Sequence, residues 1–422
     1  MKMLKIRGTL RSTEYLSIIG IVLFIFYAYV TGGLIKYTFG NYRNATIILA
    51  VYLLILISVV LIKRKKIIAH IDLIIYPILA AVVIHGNANL KNNDYVNLVM
   101  TIGVFAFALV LRRMDNWEIP AVKTIIVVSA FFAIVSVAFG LMPSFYTSTI
   151  VPLFFDLNQT NLIHLQSSGI LCGLTNSNGF NAILMVNGLC AITSFLMTSN
   201  SFTKRKWIDR GIGLLFLVVL LMTGKRGPLV FCLAGIFTAY FVYHSNNPTN
   251  RIIKILAIVL AAMIIWVLGS SVFPQAFPTI GRLIGTDTID AVRFKLYNQA
   301  IDAFKGNFLF GIGWDAFRYT FMTFGNALNV HNIYIQLLCE CGIIGFIAFV
   351  LFFLWNIVSA IKKLRRVALT PDCDSKIRII LTFSVMYQVF FLMYGLTGNP
   401  LYDAPTLVVY ILCCTASMKI VI

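Results

Sequence analysis

Stretches of about twenty uninterrupted apolar residues recur from one end of this chain to the other. A helix of that length crosses the ~30 Å hydrocarbon core of a bilayer. Lipid offers no partner to a bare backbone amide, so each stretch must close its own hydrogen bonds as a helix. Composition agrees: of 422 residues, 59% are hydrophobic and 12% charged, about half the charged share of a soluble domain. The expectation is an all-α polytopic membrane protein, one integral membrane domain over 1–422. Twelve spans are predicted, near 15–35, 45–62, 67–85, 95–111, 122–141, 170–199, 211–223, 228–244, 252–271, 332–360, 377–396 and 405–421. The first has no small-residue cleavage site behind it and reads as a span, not a signal peptide. No internal repeat is evident.

The net charge is +19, with 34 Lys and Arg. In a soluble chain that would suggest nucleic acid. Here the basic residues sit in short clusters between apolar runs, as membrane orientation requires, so no nucleic-acid partner is expected. With the N-terminus inside, 24 fall in inner segments, including "KRKK" at 63–66 and "KKLRR" at 362–366, and 10 in outer ones. That bias places both termini in the cytoplasm. Two outer loops are long, 142–169 and 272–331. The second is too long for a mere connector and holds five of the ten outer basic residues. The active face is therefore expected outside. The eight cysteines are scattered, form no C-x-x-C pair and read as small apolar residues.

Several polar clusters interrupt this pattern. "MTGKRGPL" at 222–229 puts Lys225 and Arg226 in a tight outer turn, where cations are disfavoured. They either snorkel at a helix end or form an anion site, because guanidinium beside flexible glycine backbone suits a phosphate. "DAVRFKLYNQAIDAFKGN" at 290–307 repeats Phe294, Tyr297, Ile301 and Phe304 along one face of an amphipathic helix that lies on the outer membrane surface or covers a cavity. Arg293 and Lys295 stand at its start, either as a solvated basic end or as an anion site reinforced by the helix N-terminus. "CGLTNSNGFNAI" at 172–183 breaks an apolar run with Asn176, Ser177 and Asn178, which predicts a broken or re-entrant helix lining a cavity. "NVHNIYIQLLCECGIIGF" at 329–346 opens a span with His331. Asn332, Gln336 and Glu340 follow at i, i+4 and i+8 and share one helix face, which must meet a cavity or other helices. His331 sits at the water boundary among polar neighbours, a place suited to proton transfer. Gly311-x-Gly313-x-x-Ala316 lacks the strand–turn–helix setting of a dinucleotide fingerprint and reads as a tight turn. Asp372-x-Asp374, in a short inner loop, reads as a chance match to a metal–nucleotide motif.

Together these segments resemble the O-antigen ligase and polymerase superfamily. "HNIYIQLLCECGIIGF" is similar to its H-N-x-[YF]-x-x-x-L-x-E-x-G-x-x-G pattern, and "RFKLYNQAIDAFKGNFLFGIGWDAF" to its R-x-x-x-[WY]…A…N-x-x-x-G-x-G-x-x-x-F segment. "TGKRGPL" resembles T-x-S-R-G, with Lys225 replacing the usual small residue. "TNSNGF" resembles G-x-x-x-N-P-N, with Ser177 where Pro is common. Order and spacing agree over about 170–350, and the N-terminal five spans show no motif beyond hydropathy.

The resemblance implies a membrane glycosyltransferase, similar to those of the C type, acting outside the bacterial cytoplasmic membrane on a glycan linked to polyprenyl pyrophosphate. No cofactor and no metal are implied. Arg226 and Arg293 would hold the pyrophosphate, and His331 would be the catalytic group. Lys225, Asn176, Asn178, Tyr297, Asn332, Gln336 and Glu340 are the expected substrate-binding residues. The chemistry suits the residue types: negative charge develops on phosphate oxygens, which guanidiniums stabilise without Mg²⁺, and an imidazole takes the acceptor hydroxyl's proton. Inversion in one displacement is expected. The implied partners are a lipid-linked oligosaccharide donor and acceptor, membrane lipid, and the flippase and chain-length regulator of the same pathway. A polymerase moves the growing chain onto a lipid-linked repeat unit; a ligase moves it onto another lipid, a wall polymer or a protein. Polymerase is the favoured reading. A lipid-linked oligosaccharide flippase is the rival from another class, but it should show paired repeats and midplane polar groups.

Overall fold

A computed structural model describes residues 18–22, 25, 28, 75–86, 96–112, 114–154, 156–198, 204–244, 290–321, 328–370 and 372–421. The described residues form helices and no strand. We label the main helices α1 (Ile75–Gly86), α2 (Val96–Leu111), α3 (Glu118–Leu141), α4 (Asp156–Ser167), α5 (Asn178–Thr198), α6 (Lys204–Met222), α7 (Arg226–Tyr243), α8 (Asp290–Gly306), α9 (Ile333–Ala368), α10 (Ser375–Tyr394) and α11 (Ala404–Lys419). Five of them, α3, α5, α7, α9 and α10, are long and apolar enough to cross a membrane. The expected spans at 45–62 and 252–271 lie outside the described residues, as do most of 15–35 and the start of 67–85.

α10 is the hub. It packs most extensively against α7 and also against α11, α9 and α5. From Ile380 to Gln388 it has no exposed residue, except that Ile380 and Phe383 keep a sliver. α7 approaches it closely because Gly235 lies against the Met386 carbonyl, where a Cβ would come within 2.3 Å. Small residues at such crossings let membrane helices meet when lipid removes the hydrophobic drive between them. α5 is buried over 72% of its apolar window, whereas α3 and α7 are buried over 33% and 28%. The first is a core helix; the other two turn one side to the surroundings.

Two boundaries differ from the sequence reading. The expected span at 170–199 becomes helical only at Asn178, because Gly173 adopts φ +60° and the Thr175 hydroxyl bonds the Cys172 and Ser177 carbonyls. The short run at 211–223 is the apolar part of a longer helix that begins at Lys204. The expected broken helix at 172–183 is thus a non-helical entry to α5. The eight cysteines are free thiols, seven of them buried.

The helices alternate in direction, so α5, α7, α9 and α11 all begin at one end of the bundle. At the opposite end, Lys419 pairs with Glu118 at 2.7 Å and Asp115 at 3.6 Å, fastening the end of α11 to the start of α3. Lys363 donates to the Ser417 carbonyl at the same end.

Candidate functional site

The end at which α5, α7, α9 and α11 begin carries the motif residues, and a break in α9 sets their arrangement. Gly342 interrupts α9 at φ +64°, ψ −171°, a region that only glycine occupies without strain. The segment 307–313 fills the gap. Ile312 and Gly313 N–H donate to the Cys339 and Glu340 carbonyls at 2.9 Å. In return, Ile343 N–H donates to Phe308 O (2.9 Å) and Ile344 N–H to Leu309 O (3.4 Å). A kink in a membrane helix frees backbone groups, and here a neighbouring loop satisfies them. A Cβ on Gly342 would stand 2.3 Å from Leu309 O, and one on Gly311 would stand 2.4 Å from the Glu340 carbonyl carbon. The G-x-G pair is therefore a tight turn pressed onto α9.

Glu340 fixes the next part of this loop. It is fully buried, and its Oε2 accepts from Asp315 N–H at 2.7 Å and from the Tyr402 hydroxyl. Its Oε1 accepts from Phe317 N–H (3.2 Å) and Gln336 Nε2 (3.0 Å). A carboxylate with four donors is a fully satisfied buried anchor. Trp314 is buried between the rings of Tyr402 (4.8 Å) and Phe349 (5.7 Å). Gln336 is equally buried; it accepts from Val330 N–H and donates to Asn329 Oδ1. Gln336 and Glu340, expected among the substrate-binding residues, have no exposed surface. The polar stripe faces protein because the loop brings donors to meet it.

Above this anchor stands His331, half-buried and left-handed at φ +60°. Asn332 is the N-cap of α9: its Oδ1 accepts from Tyr334 and Ile335 N–H at 3.0 and 3.2 Å. Ile333 N–H reaches Gly395 O, and Gln336 N–H reaches Asn332 O, so the first turn of α9 is capped throughout. Burial pushes the His331 imidazole down to about 4, with Arg293 and then Lys225 adding to the shift. A cation beside an imidazole disfavours its protonated form. The two basic segments of the sequence thus converge on one neutral histidine.

α8 delivers Arg293. It lies on α9 through Leu296 and Ala300, which are buried with Phe317, Val330 and Cys339, and Tyr297 packs at the edge of this cluster. The expected stripe of Phe294, Tyr297, Ile301 and Phe304 is rotated from this face: Phe294 is 62% and Ile301 40% exposed. Alanines 300 and 303 allow the close approach, so the buried stripe is the smaller one. Arg293, one turn before Leu296 and Tyr297, is half-buried on the side that turns toward His331.

The turn before α7 delivers Lys225 and Arg226. Asn178 Nδ2 donates to Thr223 O at 2.8 Å and Leu171 N–H to Met222 O at 3.0 Å, stitching the "TNSNGF" and "TGKRGPL" segments together. Lys225 Cε lies beside Gly179. Asn178 is buried in that stitch; Asn176 is half-exposed, with a buried Oδ1 that meets no partner. Arg226 is half-buried as the first residue of α7.

The connection between α10 and α11, residues 395–403, forms a third wall that the sequence reading passed over. Gly395 O receives Ile333 N–H, and the Tyr334 hydroxyl donates to Leu392 O. Thr397 Oγ1 lies against Gly227, where a Cβ would come within 3.2 Å. Tyr394 feels the charges of both Asp403 and Arg293. Burial pushes the Asp403 carboxyl up to about 7. "GNPLYDAP" at 398–405 looks like an ordinary turn; its one signal was an acidic residue on the same side as His331.

Among the described residues, no group of three or more His, Cys, Asp and Glu is arranged to hold a metal ion. A family model described as O-antigen ligase matches residues 211–350, which contain Lys225, Arg226, Arg293 and His331. No curated protein matches the chain.

Proposed function

We propose that this protein belongs to the O-antigen ligase and polymerase superfamily, a reading supported by the family model that matches residues 211–350, and that it is a polysaccharide polymerase. It transfers a growing glycan from polyprenyl pyrophosphate to the non-reducing end of a lipid-linked repeat unit. The reaction takes place on the outer face of the bacterial cytoplasmic membrane, with both termini inside. One observation carries the reading: a neutral His331 faced by Arg293 and Lys225, with Arg226 the next residue along.

Arg226 and Arg293 hold the pyrophosphate, and Lys225 adds a third positive charge. Charge-assisted bonds to phosphate oxygens stabilise the leaving group as the glycosidic C–O bond lengthens. The N-termini of α5, α7, α8 and α9 add partial positive charge of the same sign. His331 takes the acceptor hydroxyl's proton as the new bond forms at the anomeric carbon, which inverts. The proton ends on the imidazole and the negative charge on the pyrophosphate, so the step balances. An imidazole of low basicity suffices, because the attacking oxygen becomes strongly acidic once bonded to carbon. Asn176 and Tyr297 stand at the edges of the same site. Asn332, Gln336, Glu340 and Asn178 hold its frame.

The test is transfer by purified protein in detergent, with the lipid-linked repeat unit extracted from the producing cells. Longer lipid-linked chains released with polyprenyl pyrophosphate are expected, undiminished by EDTA. Transfer only to a different lipid, wall or protein acceptor would mean a ligase; donor left intact but moved between leaflets would mean a flippase.

A further inference from the structure

The arginine and lysine cluster accounts for the pyrophosphate but leaves the sugar that attacks it without a binding wall. We propose that the connection 395–403 is the acceptor-sugar subsite, with the Asp403 carboxylate and the Asn399 amide receiving sugar hydroxyls. This rests on the transfer reading above.

Three observations carry it. First, the connection joins two of the motif segments: it bonds the start of α9 through Gly395, anchors Glu340 of the same helix through Tyr402 and touches the α7 turn through Thr397. A molecule seated against it is next to His331 and the cations at once. Second, Asp403 occupies the N-cap of α11 without capping it. Pro405 has no N–H to offer at the usual position, and Thr406 and Leu407 N–H both go to the Asp403 carbonyl instead. The carboxylate is left for something else, and among the described residues it forms no salt bridge. Third, Asn399 is 7% exposed, and its Oδ1 is buried without a partner. Most buried amide oxygens in native folds have a partner, so one without calls for a ligand or water.

The chemistry then selects the ligand. The Asp403 carboxyl, negative whenever it is ionised and without an ion pair among the described residues, offers phosphate no attraction, so this wall does not serve the donor's charged end. Carboxylate and amide oxygens are acceptors suited to hydroxyl donors, and O–H to carboxylate bonds are among the stronger neutral-to-charged contacts. A neutral polyol is the ligand that fits, and in this site it is the acceptor sugar.

The experiment uses the full-length protein with two inhibitors of the transfer assay. Inorganic pyrophosphate reports on the cations, and the best competitor from a panel of common free pyranoses reports on the sugar wall. In Asp403→Ala, pyrophosphate inhibition should be unchanged or slightly stronger. Sugar inhibition and acceptor KM should weaken by roughly 10- to 150-fold, the range for losing a hydrogen bond to a charged group. Asp403→Asn, isosteric and able to fold where the alanine variant does not, should recover part of that loss. A structural role would instead lower both inhibitions together with the melting temperature. Unchanged sugar inhibition in both variants, equal loss of the two inhibitions, or a wild-type enzyme that no free sugar inhibits would overturn the subsite while leaving transfer intact. A wild-type protein inert toward every lipid-pyrophosphate donor would overturn the transfer reading and the subsite with it.

Discussion

His331 combines a left-handed backbone with cationic neighbours, and each property has a consequence. The left-handed backbone keeps His331 outside the helix, whose end Asn332 caps. Burial first, and then the cations, keep the ring neutral. With its pKa at about 4, it is protonated only as the pH falls through that value. In histidine-labelled NMR, the signal absent from His331→Gln should therefore stay neutral to about pH 5. Saturating inorganic pyrophosphate offsets Arg293 and Lys225 but not the burial, so it should raise that midpoint only part of the way toward the ordinary value near 6.5. A free-protein midpoint already near 6.5 would mean that the ring is neither buried nor faced by the cations. For the arginines, Arg226→Ala and Arg293→Ala should each abolish transfer without loss of expression. Arg→Lys should rescue poorly, because the bidentate fork is lost; near-complete rescue would show that point charge alone matters. Arg226 and His331 stood out in the sequence because each violates a membrane rule: two cations in an outer turn, an imidazole at the mouth of a span. Asp403 did not stand out, because an acidic residue between prolines in a turn violates nothing.

At the scale of elements, sequence periodicity located most described helices but not the device that joins them. α9 was expected from its apolar run, and its polar stripe was expected to avoid lipid. The break at Gly342 was not legible. A glycine inside "CECGIIGF" looks like any small residue in a membrane helix, and its conformation is set by a carbonyl at Leu309, 33 positions earlier. The face by which α8 packs on α9 was not legible either: the large apolar residues marked a face for the membrane surface or a cavity, and the contact with α9 uses a different one, with Leu296 and Ala300. Gly342→Ala tests the kink. A methyl group there meets Leu309 O in a glycine-only conformation, which costs about 1–3 kcal/mol in strain alone. The variant should lower the melting temperature and release the 307–317 loop, seen as faster amide exchange at Ile312 and Gly313. Wild-type exchange at those amides would mean that the loop does not depend on the break. Trp314→Ala should cost more, about 3–5 kcal/mol, by emptying the slot between Tyr402 and Phe349.

For the whole molecule, helix direction and charge point the same way. The ends where α5, α7, α9 and α11 begin hold the site; the opposite ends hold Lys363, Arg365, Arg366 and Lys419. A bundle inserted with its basic end in the cytoplasm presents the site outside. In intact cells, an impermeant thiol reagent should label Ser167→Cys directly and Thr370→Cys only after permeabilisation. The reverse pattern would invert the topology. Hydropathy made this architecture legible because the solvent is a slab with two sides, whereas the site needed three distant segments to meet. The central claim is that chemistry centres on His331 while the cations hold the donor. The most direct test is a single-turnover transfer assay of purified His331→Gln with donor already bound. Donor affinity should match the wild type, and transfer should fall by roughly 10²–10⁴-fold, the usual contribution of a general base. Transfer at more than about a tenth of the wild-type rate, against that same range, would contradict the assignment of His331.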